Sequence, residues 1–96
     1  MTILESSNNF ADQIECVSAN TAVTGSAAVT SDDGFLITAH PDNSAVVWVF
    51  ENASGKTRAN GYPLGVGVTV FLGVSRLSQV KFESALASQK ICWIKC

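Results

Sequence analysis

Ala59-Asn60-Gly61-Tyr62-Pro63-Leu64-Gly65-Val66-Gly67-Val68-Thr69-Val70-Phe71-Leu72-Gly73-Val74 joins a turn cluster to a strongly β-prone run. Gly61 to Gly65 has the composition of a turn, with glycine free to take positive φ and proline fixing its own. Val66, Val68, Val70, Leu72 and Val74 then repeat every second residue. That period places them on one face of a strand. Gly67, Thr69, Phe71 and Gly73 fall between them, and the two glycines suit strong twist or close approach of another backbone.

Similar short runs flank this stretch. Ser6-Ser7-Asn8-Asn9 is a loop signal. Residues 1–11 therefore read as an N-terminal arm with Ile3, Leu4 and Phe10 as isolated anchors, and residues 12–96 as the folded domain. Ile14 to Val17 reads as a first strand. Thr21 to Thr30 reads as a second, bent or bulged at Gly25-Ser26. Ser31-Asp32-Asp33-Gly34 is a turn, Phe35 to His40 a strand, and Pro41-Asp42-Asn43 the turn that ends it. Ala45 to Glu51 is apolar, β-branched and aromatic, which favours a strand buried on both faces. Asn52 to Asn60 is a polar loop. After a turn at Ser75-Arg76-Leu77, Val80 and Phe82 alternate with Lys81 and Glu83, and Ile91 to Cys96 closes the chain. About seven short strands at this spacing predict an all-β fold, a single antiparallel β-sandwich or jelly-roll-like domain.

Composition narrows the function classes. The 96 residues suffice for one core. Only 15% are charged, against about 25% in an ordinary soluble domain. Low charge with high β-propensity favours an oligomer or a partner-covered face. The apolar runs are too short for a bilayer helix, so no membrane role is expected. Seven of the eight acids precede residue 52 and all six bases follow it. Either the halves interleave and their charges mix, or the molecule is polar and docks on a neighbour of opposite sign. Six scattered bases form no phosphate-tracking stripe, which argues against nucleic acid. No basic n-region precedes an apolar stretch, so no signal peptide is expected. Asn52-Ala53-Ser54 then has no glycosylation meaning. Cys16, Cys92 and Cys96 are odd in number, and in one strand the last two would stand ~13 Å apart. Free thiols made in a reducing cytoplasm follow.

Chemistry-bearing motifs are sparse. His40 is the single histidine, and with Asp42 across a proline turn it reads as a strand cap whose Asp42 or Asn43 bonds the backbone. Pairing Cys16 with His40 as a nucleophile finds no support. Asp32, Asp33 and Asp42 lack the spacing of a calcium loop. Gly55-Lys56-Thr57 ends like a phosphate-binding loop, but Phe50 stands where that loop needs glycine. No cofactor, metal or catalytic group is expected, and the chain reads as no enzyme. Trp48, Phe50, Phe71, Phe82 and Trp93 read as core aromatics. The alternative is a sugar-stacking platform of Tyr62 with one tryptophan.

The second half resembles small β-sandwich virion proteins of tailed phages. The resemblance covers about residues 35–96. It runs through the apolar strand Ala45 to Phe50, the turn residues Gly61, Pro63, Leu64 and Gly67, then Leu77, Ser78 and Val80, and closes at Gln89-Lys90-Ile91-Cys92-Trp93. Where the pattern carries an acid before the strand, this chain has Val66-Gly67-Val68. The resemblance implies a non-enzymatic capsid decoration (cement) protein, or a related head or tail component, assembled in the host cytoplasm and resident in the virion. Its partners would be the major capsid protein and further copies of itself, as a homotrimer. The apolar contact would use Trp48 or Phe71, with Ile3, Leu4, Phe10 and Tyr62 as further interface candidates. The second function class is a fibre or adhesin-type module that recognises a host glycan or receptor.

Overall fold

A computed structural model of the chain describes residues 10–96. Ile3 and Leu4 lie outside the described residues. The described chain forms a β-sandwich of two antiparallel four-stranded sheets. The strands are β1 (Ala11–Cys16), β2 (Val23–Thr24), β3 (Phe35–Ala39), β4 (Val47–Glu51), β5 (Tyr62–Leu64), β6 (Thr69–Leu72), β7 (Val80–Ser84) and β8 (Gln89–Lys95). The front sheet has the order β1-β8-β3-β6 and the back sheet β2-β7-β4-β5. Among the described residues there is no α-helix, and no helix is long and apolar enough to cross a membrane.

Both sheets follow the alternation in the sequence. Phe35, Ile37 and Ala39 of β3, Ile91 and Trp93 of β8, Val47 and Val49 of β4, and Val80 and Phe82 of β7 point inward and are buried. They meet in one core with Cys16, Leu64 and Leu77. Trp93 meets Phe35 edge-on with ring centroids 5.9 Å apart, a geometry aromatic quadrupoles favour. The acidic first half and basic second half interleave: β1 and β3 pair with β8, β4 pairs with β7, and Glu15 of β1 stands opposite Lys90 of β8. This is the mixing alternative.

Several expectations need correction. β1 spans Ala11–Cys16 rather than Ile14 to Val17, and ahead of it the Phe10 carbonyl accepts from the Lys95 N–H. The run Thr21–Thr30 keeps only Val23–Thr24 as a strand and an isolated bridge at Thr30. A Cβ on Gly25 would lie 2.5 Å from Leu77 Cγ. The glycine admits that buried leucine, and the strand breaks there. Tyr62–Leu64, expected to be a turn, is an edge strand, where Pro63 forfeits no ladder bond that an outer neighbour would need. Val66 and Val68 do not continue the face of Val70 and Leu72. Gly67 takes φ +77°, the Val68 N–H donates to the Gly65 carbonyl, and both valines are exposed. The turn resets the alternation, so β6 begins only at Thr69. Leu77, expected at the end of a turn, opens a 3-10 turn (Leu77–Gln79) in which it alone is buried.

Candidate functional site

Register fixes what the front sheet shows to solvent. Because Phe35 pairs with both Lys95 and Leu72, the outward residues of its four strands line up in rows. One row is Ala11, Ile94, Leu36 and Phe71; the next is Gln13, Cys92, Thr38 and Thr69. At ~4.8 Å per strand, each row spans about 14 Å. The first row is apolar from edge to edge. Leu36 is 40% exposed, Ile94 41% and Phe71 54%, with Phe10 at 38% beside its β1 end. The second row is uncharged, and its Thr38 and Thr69 hydroxyls share a 2.6 Å hydrogen bond. Beyond the two rows stand Glu15 and Lys90, paired across β1 and β8, and Asp12 borders the face at its β1 edge.

The expected interface residues do not share this face. Phe71 is on it and Phe10 borders it, so Phe71 is no core aromatic. Its ring leans on Gly34, where a Cβ would come within 2.8 Å of it. Trp48 is half-buried on the outer side of the back sheet, between Pro63 and Glu83 in the register. Phe50, also outward, is buried under the loop that ends at Gly61, so β4 is closed on its inner face and only in part on its outer one. Tyr62, 60% exposed, pairs with Val49 and turns to the inner side of the edge strand β5. Trp48 and Tyr62 therefore point to opposite sides of the back sheet, and Trp93 is buried, so the sugar-stacking platform is not assembled. Leu36, Ile94 and Ala11 escaped the sequence reading. Their one signal is an apolar residue at a position where the alternation calls for a polar one.

A second feature is a cleft of about 390 Å³ along the flank where β5 and β6 face each other. Val49, Phe50, Val70, Leu72, Val74 and Val80 form its wall. Glu51, Lys56, Asn60 and Tyr62 stand at its polar rim.

The remaining candidates are structural in their contacts. His40 Nδ1 accepts from the Asp42 N–H at 3.0 Å, and the ring caps its own turn. Asn43 supplies the expected backbone bond: its Oδ1 accepts from the Lys90 N–H at 2.7 Å and its Nδ2 donates to the Lys90 carbonyl at 2.8 Å. Gln89 locks the next residues, its Oε1 accepting from the Ser44 and Ala45 N–H groups at 2.7 and 3.0 Å. Cys16 is fully buried, and burial pushes its thiol up to about 11, away from the range of a nucleophile. Burial likewise raises Cys92. All three cysteines are free. Among the described residues no group of three or more His, Cys, Asp or Glu side chains could hold a metal ion. Compared with protein-family models, curated proteins and solved structures, the chain matches none.

Proposed function

We propose that the chain is a non-enzymatic structural protein of a phage virion, a decoration (cement) protein that associates with itself and bridges subunits of the capsid. The observation that supports this reading is the pair of uncharged rows on the outer face of the front sheet, one of them the apolar row Ala11-Ile94-Leu36-Phe71. The exposed parts of Phe10, Leu36, Phe71 and Ile94 sum to roughly 300 Å² of apolar surface. A standard interface buries about 800 Å² per partner around an apolar centre with a polar rim. The row has the size of such a centre, and Gln13, Thr38 and Thr69 have the chemistry of its rim. Buried between copies in a trimer, it would leave the polar loops at Ser31–Gly34 and Asn52–Arg58 to meet the major capsid protein. A protein that binds only the expanded shell stabilises it by mass action, and many weak copies add through multivalency.

The test has two parts. Light scattering in line with size exclusion is expected to give a trimer. Added to emptied, expanded phage shells, the protein is expected to sediment with them and raise their heat resistance. A monomer that leaves the shells unchanged refutes the proposal.

A further inference from the structure

The four edge strands are β1 and β6 of the front sheet and β2 and β5 of the back sheet. Charge, proline and brevity guard an edge against further pairing. Asp12 and Glu15 guard β1, Pro63 guards β5, and β2 has only two residues. Thr69-Val70-Phe71-Leu72 of β6 has no charge and no proline. Its backbone groups divide by register. The Ala39 N–H donates to the Val68 carbonyl, and the ladder runs on through Ile37–Val70 to Phe35–Leu72. Bonded and non-bonded pairs alternate in an antiparallel ladder. Val70 and Leu72 therefore bond β3, and the N–H and C=O groups of Thr69 and Phe71 face the open edge. The core is unsealed at the same place. Phe35, Ile37 and Ala39 of β3 are fully buried, whereas Val70, Leu72 and Val74 pack on that core and stay half-buried along the 390 Å³ cleft.

We infer that this flank is a strand-addition site, which takes an extended, uncharged segment of a partner protein as a ninth strand antiparallel to β6. Residues of the segment opposite Thr69 and Phe71 exchange ladder bonds with them and turn their side chains to the outer face. Residues opposite Val70 and Leu72 turn inward and lie over the cleft, so that position asks for aliphatic side chains at every second place. The rim holds one charge of each sign, Glu51 and Lys56, so an uncharged segment meets no net repulsion there. Size selects a segment over a second folded copy. An edge of four residues is about 13 Å long, and the side chains beside it are already half-buried. That opening falls far short of the about 800 Å² per partner buried between folded proteins, while one strand of about five residues covers it.

The test uses the full chain unaltered and a capped synthetic heptapeptide in which threonine alternates with valine. Saturating peptide is expected to shift the methyl resonances of Val70, Leu72 and Val74, and to slow hydrogen exchange at the Thr69 and Phe71 amides by at least about tenfold. Two N-methylated forms of the peptide read its parity. Methylation at the threonines blocks the N–H groups that face β6 and is expected to weaken binding at least about tenfold. Methylation at the valines blocks only groups that face away, and binding is expected to persist. Absence of binding overturns the inference. So do methyl shifts without amide protection, which would mean an apolar small-molecule cleft, and equal binding of the two methylated forms. Thr69 and Phe71 amides already protected in the protein alone overturn it as well, because the edge is then taken; protection that grows with protein concentration would assign it to a second copy. Shell binding is read in none of these measurements, so failure here leaves the decoration reading to its own test.

Discussion

Phe71→Ala separates association from folding. A phenylalanine side chain offers roughly 200 Å², and Phe71 is 54% exposed, so roughly 110 Å² remains for a partner to cover. At ~25 cal/mol per Å² this amounts to about 3 kcal/mol per contact, or roughly a hundredfold in the association constant. The other half of the ring already packs within the chain, over Gly34 and near Gly73. Losing that half costs about 2 kcal/mol of folding stability, which a 96-residue domain with ~5 kcal/mol or more survives. The variant is thus expected to fold, with a lower urea midpoint, and to dissociate at concentrations where the parent chain is assembled. Leu86→Ala is the control. Leu86 is 48% exposed, but it lies in the β7–β8 turn and off the apolar row. Sedimentation velocity across a concentration series reads both variants. Unchanged association in Phe71→Ala refutes the reasoning, and so does equal weakening by Leu86→Ala, which would mean general surface stickiness.

Three further outcomes test the fold around the face. Gln89→Leu removes the acceptor of the Ser44 and Ala45 N–H groups and the donor to the Ala87 carbonyl; with these part-buried groups unpaired, a loss of about 2–4 kcal/mol is expected in urea unfolding, and under 1 kcal/mol contradicts it. Gly34→Ala meets both a φ of +97° and the Leu72 carbonyl at 2.5 Å, whereas Gly55→Ala meets only a φ of +81° in open space. Gly55→Ala is expected to cost about 1 kcal/mol and Gly34→Ala at least twice that, so equal melting points would refute the clash. Cys16 has its folded value raised to about 11 from an ordinary value of 9.0. Between those values the unfolded chain gives up its proton while the folded chain keeps it. Its contribution is therefore intact below about pH 9 and falls by about 3 kcal/mol as the pH rises to about 11. Cys16→Ala should flatten that part of the profile, and parallel profiles for the two chains would exclude the effect.

The turns and the inward positions were legible because they are local. Gly34 takes the positive φ that Ser31-Asp32-Asp33-Gly34 announces, and Phe35, Ile37, Val80 and Phe82 are buried as their alternation requires. The errors came from what alternation omits. Val66 and Val68 share a period with Val70, but a single positive φ at Gly67 rotates them out of it. Gly25 ended a β-prone run for the sake of Leu77, which lies far away in sequence. No local propensity carries either fact.

The candidate face was illegible for a deeper reason. Leu36, Phe71 and Ile94 are apolar residues in apolar runs, and residue type alone does not tell an exposed leucine from a buried one. Each takes its direction from parity: Leu36 is outward because Phe35 and Ile37 are inward, and Ile94 because Trp93 is inward. Each takes its neighbours from register, since Leu36 stands opposite both Ile94 and Phe71. A slip of one residue in β6 against β3 would turn Phe71 to the core and bring Val70 outward. The row exists in no single strand. It is made by the pairing of four separate segments of the chain, so a partner of the kind proposed would read the register of the whole front sheet rather than any one stretch of sequence.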